Sequence, residues 1–259
     1  RILCTNDDGI HGEGLLLLEK TAAEFGTVTT VAPDRERSAV SQAITLHTPI
    51  RVHELGERRF TIDGTPADCV WVAMNQLLAE PPDIILSGVN RGPNLAVDVI
   101  YSGTVAGALE GLIRDIPSVA FSFVGAPDYP FQGIQTALRN TLQRIFAAPL
   151  SRNTTLNVNI PHPQNPGIRG TRVTALGKRY YSQEVIERED PRGGKYLWVG
   201  GSTVTAEDIP GSDCNAIRDG YISITPIHLN LTHTEAMGEL RAQHETRAVA
   251  PLVQPPDQS

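Results

Sequence analysis

Arg1-Ile2-Leu3-Cys4-Thr5-Asn6-Asp7-Asp8-Gly9 opens the chain with an apolar run, Arg1 to Asn6, that reads as a strand and then breaks into an acidic turn closed by glycine. The next residues complete a βαβ unit. From His11 to Phe25, Leu15, Leu18, Ala22 and Phe25 recur at helical spacing, Gly26 stops the pattern, and Thr27 to Ala32 returns to a β-branched strand. Thr65 and Pro66 form a cap and first-turn pair for a helix with apolar positions Val70, Trp71, Met74, Leu77 and Leu78, ended by Pro81-Pro82. A strand at Asp83 to Ser87, a helix from about Gly103 to Arg114, a strand at Ser118 to Val124 and a helix at Gln132 to Phe146 continue the alternation. This order predicts an α/β layer fold, doubly wound on a mostly parallel sheet.

Beyond about residue 160 the pattern becomes strand-rich, with strands expected at Asn153 to Ile160 and Thr171 to Leu176. Arg179 to Gly200 reads as a projecting β-hairpin with arms Tyr180 to Arg188 and Lys195 to Gly200, joined by a turn containing Asp190, Pro191, Gly193 and Gly194. Tyr180, Tyr181, Tyr196 and Trp198 are four of the fourteen aromatic residues, an enrichment that suits either a subunit contact or cross-strand packing. The division that follows is residues 1–178 as core and 179–259 as a C-terminal region, with a disordered tail from about 251.

At 259 residues the chain is long enough to bury roughly three quarters of its unfolded surface, so it needs no disulfide framework. Cys4, Cys69 and Cys214 are widely spaced with no C-x-x-C, as expected of thiols used as small core hydrophobes in a reducing compartment. No apolar run approaches the length of a membrane span, and no secretory pattern opens the sequence, so a soluble cytoplasmic protein is expected. Lys and Arg number 22 against 29 Asp and Glu, a net charge of −7. Duplex nucleic acid is therefore a poor partner, and a small anion requires a metal or a local positive dipole.

Asp7 and Asp8 sit where a strand should end, the position at which open α/β sheets bind ligands. A turn at Gly9 lets both carboxylates converge, and their repulsion calls for a cation; helix capping is the plainer alternative. Ser87-Gly88-Val89-Asn90 repeats the arrangement after a second apolar strand, although Asn90 also fits an Asx turn. Ser38 follows a third strand, where an exposed loop hydroxyl is the simpler reading. Carboxylate, amide and hydroxyl oxygens without Cys or His favour Mg²⁺, Mn²⁺ or Ca²⁺ over zinc. Gly92-Pro93-Asn94 and Tyr101-Ser102-Gly103-Thr104, at the start of a helix, form a candidate anion cradle or simply a well-capped helix. The glycines from Gly9 to Gly14 have the order GxxGxG rather than the dinucleotide fingerprint, and there is no phosphate-binding GxxxxGK[ST], G-x-S-x-G or H-E-x-x-H motif. His11, near the acidic pair, is a secondary proton-transfer candidate.

Seven short motifs in order resemble the stationary-phase survival protein (SurE) family: Asn6-Asp7-Asp8-Gly9, Val31-Ala32-Pro33-Asp34-Arg35 through Ser38, Gly64-Thr65-Pro66-Ala67-Asp68-Cys69-Val70, Ser87-Gly88-Val89-Asn90, Gly92-Pro93-Asn94, Tyr101-Ser102-Gly103-Thr104-Val105 and Gly220-Tyr221-Ile222-Ser223-Ile224-Thr225-Pro226. The resemblance implies a Rossmann-like three-layer core and a metal-dependent phosphatase for nucleoside 5′-monophosphates. It also implies a C-terminal region that builds a homodimer or homotetramer. Carried over, the metal ligands are Asp7, Asp8, Ser38 and Asn90, holding one Mg²⁺ or Mn²⁺ per subunit. Asn94, Ser102, Gly103 and Thr104 are the expected phosphate contacts, and Asp8 the expected general base or nucleophile. Gly12 and Glu13 depart from the Ala and Pro that the family tends to carry there. The competing expectation is a non-catalytic nucleotide or phosphate sensor that assembles through the hairpin.

Overall fold

The computed structural model describes residues 1–126, 128–148, 150, 154–182, 184–200 and 204–245. Strand β1 (Ile2–Thr5), helix α1 (Glu13–Ala22) and strand β2 (Val28–Pro33) form the expected first unit. Helix α1 starts at Glu13 rather than His11 because a turn uses the intervening residues: the Gly12 N–H donates to the Gly9 carbonyl at 2.9 Å and the Ile10 N–H to the Pro33 carbonyl at 2.8 Å. Strands β3 (Val52–Gly56) and β4 (Arg59–Ile62) follow. Helix α2 (Pro66–Val72) is capped by Thr65, whose hydroxyl accepts from the Asp68 N–H while the Asp68 carboxylate accepts from the Thr65 N–H. It runs on into a π-helical turn, Ala73–Leu77. Strand β5 (Ile84–Arg91), helices α3 (Asp98–Tyr101) and α4 (Gly103–Ile113), strand β6 (Ser118–Val124), helix α5 (Gln135–Ala147) and strand β7 (Thr155–Pro161) complete the alternating half. Asn153, the expected start of that last strand, and the tail from residue 251 lie outside the described residues.

The later elements are strands β8 (Gly170–Val173), β9 (Arg179–Tyr181), β10 (Val185–Glu189), β11 (Lys195–Val199) and β12 (Val204–Ala206), helix α6 (Asp213–Arg218) and strand β13 (Tyr221–Ile227). Nine strands form one sheet in the order β3-β4-β2-β1-β5-β6-β7-β13-β8. The six from β4 to β7 are parallel, β13 is antiparallel to β7, and β3 is an antiparallel edge. The chain is thus α/β, mostly parallel and doubly wound, with the winding reversing between β1 and β5.

The two faces of the sheet are set by period-two alternation. Ile2, Cys4, Ile84 and Leu86 point to a cluster with Leu15 and Leu18 of α1 and Leu138 and Leu142 of α5. Leu3 and Ile85 point the other way, to Cys69 and Val70 of α2. Helix α4 covers that second face through Val105 and Ala108 against Ala120. Three layers result, and the crevice lies at the carboxyl ends of β1 and β5.

The hairpin forms, but its first arm is divided. β10 pairs with β11, and Asp190 closes the turn by accepting from the N–H groups of Arg192 and Gly194. Tyr180 and Tyr181 instead lie in β9, which pairs with β12 as a separate ladder. Asp213, fully buried at the start of α6, accepts from the N–H groups of Ala96, Gly177 and Cys214 at 2.7–2.8 Å. Residues 229–259 form a second unit, whose described part holds helix α7 (Thr234–His244), with the His233 ring accepting from the Ala236 N–H. Among the described residues no helix is long and apolar enough to cross a membrane.

Candidate active site

Asp7 and Asp8 follow β1 directly. Gly9 takes φ +93°, a left-handed value that favours glycine, and the Asn6 side-chain amide donates to its carbonyl at 2.9 Å, so the chain turns immediately after the acidic pair. The Arg37 N–H donates to the Asp7 carbonyl at 2.7 Å, which draws the loop carrying Ser38 to the same place. Asp7 is buried at the start of α4: the Thr104 hydroxyl donates to its Oδ1 at 2.6 Å, and the Thr104 N–H also reaches it. Gly103 makes this approach possible, because a Cβ there would stand 2.9 Å from the Asp7 Cβ.

Burial pushes the Asp7 carboxyl up to about 7; Thr104 opposes the shift and the Asp8 charge adds to it. Asp8 is also raised, by burial first and by Glu36, against the Arg91 N–H and charge. Two buried carboxylates are thus held above their ordinary range, with the Arg91 charge too little to offset their desolvation. The Asn6 Oδ1 beside them is buried and unpartnered within the protein. This donor set fits a hard divalent cation.

Asn90 reaches the crevice through a β-bulge in β5. Ser87 pairs with Ala120 and Asn90 with Ser122, so one side of the ladder holds an extra residue. Gly88 occupies the bulge at φ +130°, where a Cβ would lie 2.3 Å from the Phe121 carbonyl oxygen. The Asn90 side-chain nitrogen donates to the Gly92 carbonyl at 3.1 Å, leaving its oxygen as the acceptor. The exposed Ser38 hydroxyl donates to Glu36 at 2.7 Å and retains oxygen lone pairs. Asp7, Asp8, Ser38 and Asn90 line one cleft of about 680 Å³. Among the described residues no three His, Cys, Asp or Glu side chains gather as a metal cluster, since half of this oxygen set is neutral.

Of the expected phosphate contacts, Asn94 and Ser102 line the cleft and Gly103 and Thr104 stand behind Asp7. The Asn94 backbone is pinned on both sides: its N–H donates to Asn159, and its carbonyl accepts from the Asn157 and Asn159 amides. The Ser102 hydroxyl accepts from the Val105 N–H as the cap of α4. His11 is exposed and outside the cleft lining.

Several lining groups were not singled out by sequence. Arg91 is the basic side chain in a lining that carries Asp7, Asp8, Glu13, Glu36 and Asp98. Its guanidinium sits 4.1 Å above the Phe131 ring and donates to the Tyr129 carbonyl and to Glu13. Its place directly after Asn90 was the available signal. Asp98 accepts from Arg179 and from the Tyr181 hydroxyl, and burial together with Asp98 pushes that phenol up to about 12. Partners so far apart in sequence leave no local pattern.

The family model described as "Survival protein SurE" matches residues 2–183. The chain is 47% identical over 241 residues to a protein of Gemmatimonas aurantiaca and 49% identical over 234 residues to one of Myxococcus xanthus, both named 5′-nucleotidase SurE. These matches cover 92% and 90% of this chain and 96% and 88% of the relatives. The crystal structure of the SurE protein from Aquifex aeolicus superposes with a TM-score of 0.81 at 37% identity, covering 94% of this chain and 99% of that one. Whole-length similarity in sequence and in fold, together with the acidic pair at the sheet's switch point, places this chain in the SurE survival-protein family.

Proposed function

We infer that this chain is a 5′-nucleotidase, a phosphoric monoester hydrolase that releases phosphate and a nucleoside from nucleoside 5′-monophosphates. The observation that carries the reading is the pair of desolvated carboxylates, Asp7 and Asp8, at the carboxyl end of β1 inside the cleft. Asp7, Asp8, Ser38 and Asn90 hold one divalent cation, Mg²⁺ or Mn²⁺. When bound, such a cation offsets the charge that builds at the phosphoryl group.

The remaining work falls to the chain's own groups. Thr104 orients Asp7 and favours its ionised form through its hydroxyl and N–H. Arg91 takes up charge on the incoming phosphate, while Asn94 and Ser102 hold its oxygens. Asp8 acts as general base: a carboxylate oxygen takes a proton from the attacking water as the water oxygen bonds to phosphorus and the P–O5′ bond breaks, and that proton then passes from Asp8 to the leaving O5′. Residues 1–178 supply these groups, and residues 179–259 supply assembly into a homodimer or homotetramer through the exposed side chains Leu197, Trp198 and Val199. The three thiols, all free and buried, support a cytoplasmic location.

Phosphate release from adenosine or guanosine monophosphate should stop with a chelator and return with Mn²⁺ or Mg²⁺. Saturable nucleotide binding with no product would favour the sensor, and hydrolysis indifferent to chelation would exclude a cation from the reaction.

A further inference from the structure

The cleft, about 680 Å³, is larger than a phosphate group requires, and its lining is of mixed character. Glu36 and Arg91 lie close enough to act on the Asp8 charge, and Arg91 also pairs with Glu13. The same lining also includes three aromatic residues, Tyr101, Phe131 and Tyr181. Phe131 is 2% exposed and carries the Arg91 guanidinium on its ring, so it serves as a base for that side chain. Tyr101 and Tyr181 are 60% and 46% exposed.

Tyr181 is held before any ligand arrives. Its hydroxyl donates to Asp98 Oδ1, and the Arg179 guanidinium carbon lies 5.5 Å from its ring centre. Arg179 and the Leu95 N–H both donate to Asp98 Oδ2, and the Arg179 and Asp98 side chains are only 13% and 10% exposed. The pair is therefore satisfied and close to neutral in sum. Arg179 is spent on Asp98 and leaves little attraction for an anion. Tyr101 is anchored through its backbone: its carbonyl accepts from the Ser41 N–H at 2.9 Å, and the Ser41 hydroxyl donates to the Ile100 carbonyl at 2.7 Å.

We propose that Tyr101 and Tyr181 form the platform on which the nucleobase of the substrate stacks, recognising it by its aromatic face rather than by hydrogen bonds to its edge. This rests on the nucleotidase reading and extends it to substrate choice. A neutral, pre-ordered aromatic wall suits a flat uncharged ring and costs little ordering on binding. Asp98, the carboxylate at that wall, already accepts from the Tyr181 hydroxyl, Arg179 and the Leu95 N–H, so the face of the aromatic wall is what it leaves to the base. The enzyme therefore accepts purine and pyrimidine nucleotides alike, with purines favoured by area.

The test compares adenosine 5′-monophosphate with ribose 5-phosphate, which keeps the ester and sugar and lacks the base, under saturating Mn²⁺. The ratio of their kcat/KM values should fall by about tenfold to about a hundredfold in Tyr101→Ala/Tyr181→Ala, with the change in KM, and the free nucleoside should weaken as an inhibitor by a similar factor. Tyr181→Phe keeps the ring, loses the bond to Asp98, and should keep most of the ratio. A ratio that stays within about twofold in the double variant overturns the platform while leaving the nucleotidase intact. A wild-type protein that hydrolyses neither ester removes the nucleotidase reading itself and the platform with it.

Discussion

Thr104→Val removes one hydroxyl and changes little else: both side chains are β-branched, so helix preference is nearly preserved. The lost group is buried and donates to Asp7 Oδ1 at 2.6 Å. A hydrogen bond to a charged acceptor contributes about 1.5–3 kcal/mol, which raises the carboxyl pKa by about 1 to about 2. Asp7 already stands at about 7, so at pH 7 roughly half the wild-type molecules carry it ionised. In the variant the ionised share falls to about a tenth to about a hundredth. A cation must then displace a proton, and the Mn²⁺ concentration for half-maximal phosphate release should rise about fivefold to about fiftyfold at pH 7. By pH 9 the gap should shrink to about twofold or less, because Asp7 is then at least about half ionised in both proteins. Metal titrations of phosphate release from pH 6 to 9 make the measurement. An unchanged midpoint at pH 7, or a rise of the same size at every pH, refutes the role given to the hydroxyl.

Asp8→Asn should lower turnover by about 10²–10⁴ with little change in melting temperature, and near-wild-type rates would reassign Asp8 to turn capping. Asp7→Asn tests the buried charge through stability. A carboxyl raised in the folded state binds more protons than in the unfolded chain, so its contribution is present below about pH 4 and is lost as pH rises through about 7. The metal-free wild type should therefore lose melting temperature relative to Asp7→Asn between pH 5 and 8, and parallel curves would mean that Asp7 is not desolvated. Gly88→Ala places a Cβ 2.3 Å from the Phe121 carbonyl and should cost about 1–3 kcal/mol or more in urea denaturation; a stable, active variant would show that the bulge does not position Asn90.

How much of this was readable depended on the range of each signal. The first βαβ unit was legible because Ile2, Leu3 and Cys4 face apolar clusters on both sides of the sheet, and the helix that follows carries its own 3.6-residue pattern. Asp7, Asp8 and Asn90 were legible as oxygens at strand ends. Ser38 was not, because an exposed loop hydroxyl has no periodicity, and only the family resemblance selected it. Strand β3 was missed because all five of its residues are exposed, so no alternation marks them. Strand β13 was marked only as a family motif; its insertion between β7 and β8 is a pairing choice that local sequence does not encode. The Thr104–Asp7 bond spans 97 positions and the Tyr181–Asp98 bond 83, distances over which helix and turn signals carry nothing.

The return of β13 to the sheet and the three amide bonds held by Asp213 bear on how such a protein can be rearranged. A chain cut at residue 178 would leave the Asn157–Asn159 stretch of β7 as a bare sheet edge and would free Ala96, next to the pinned Asn94, from its anchor. Shuffling catalytic and C-terminal segments between relatives should therefore keep Asp213 and the 221–227 strand with the first half, which leaves the hairpin arm as the segment to exchange.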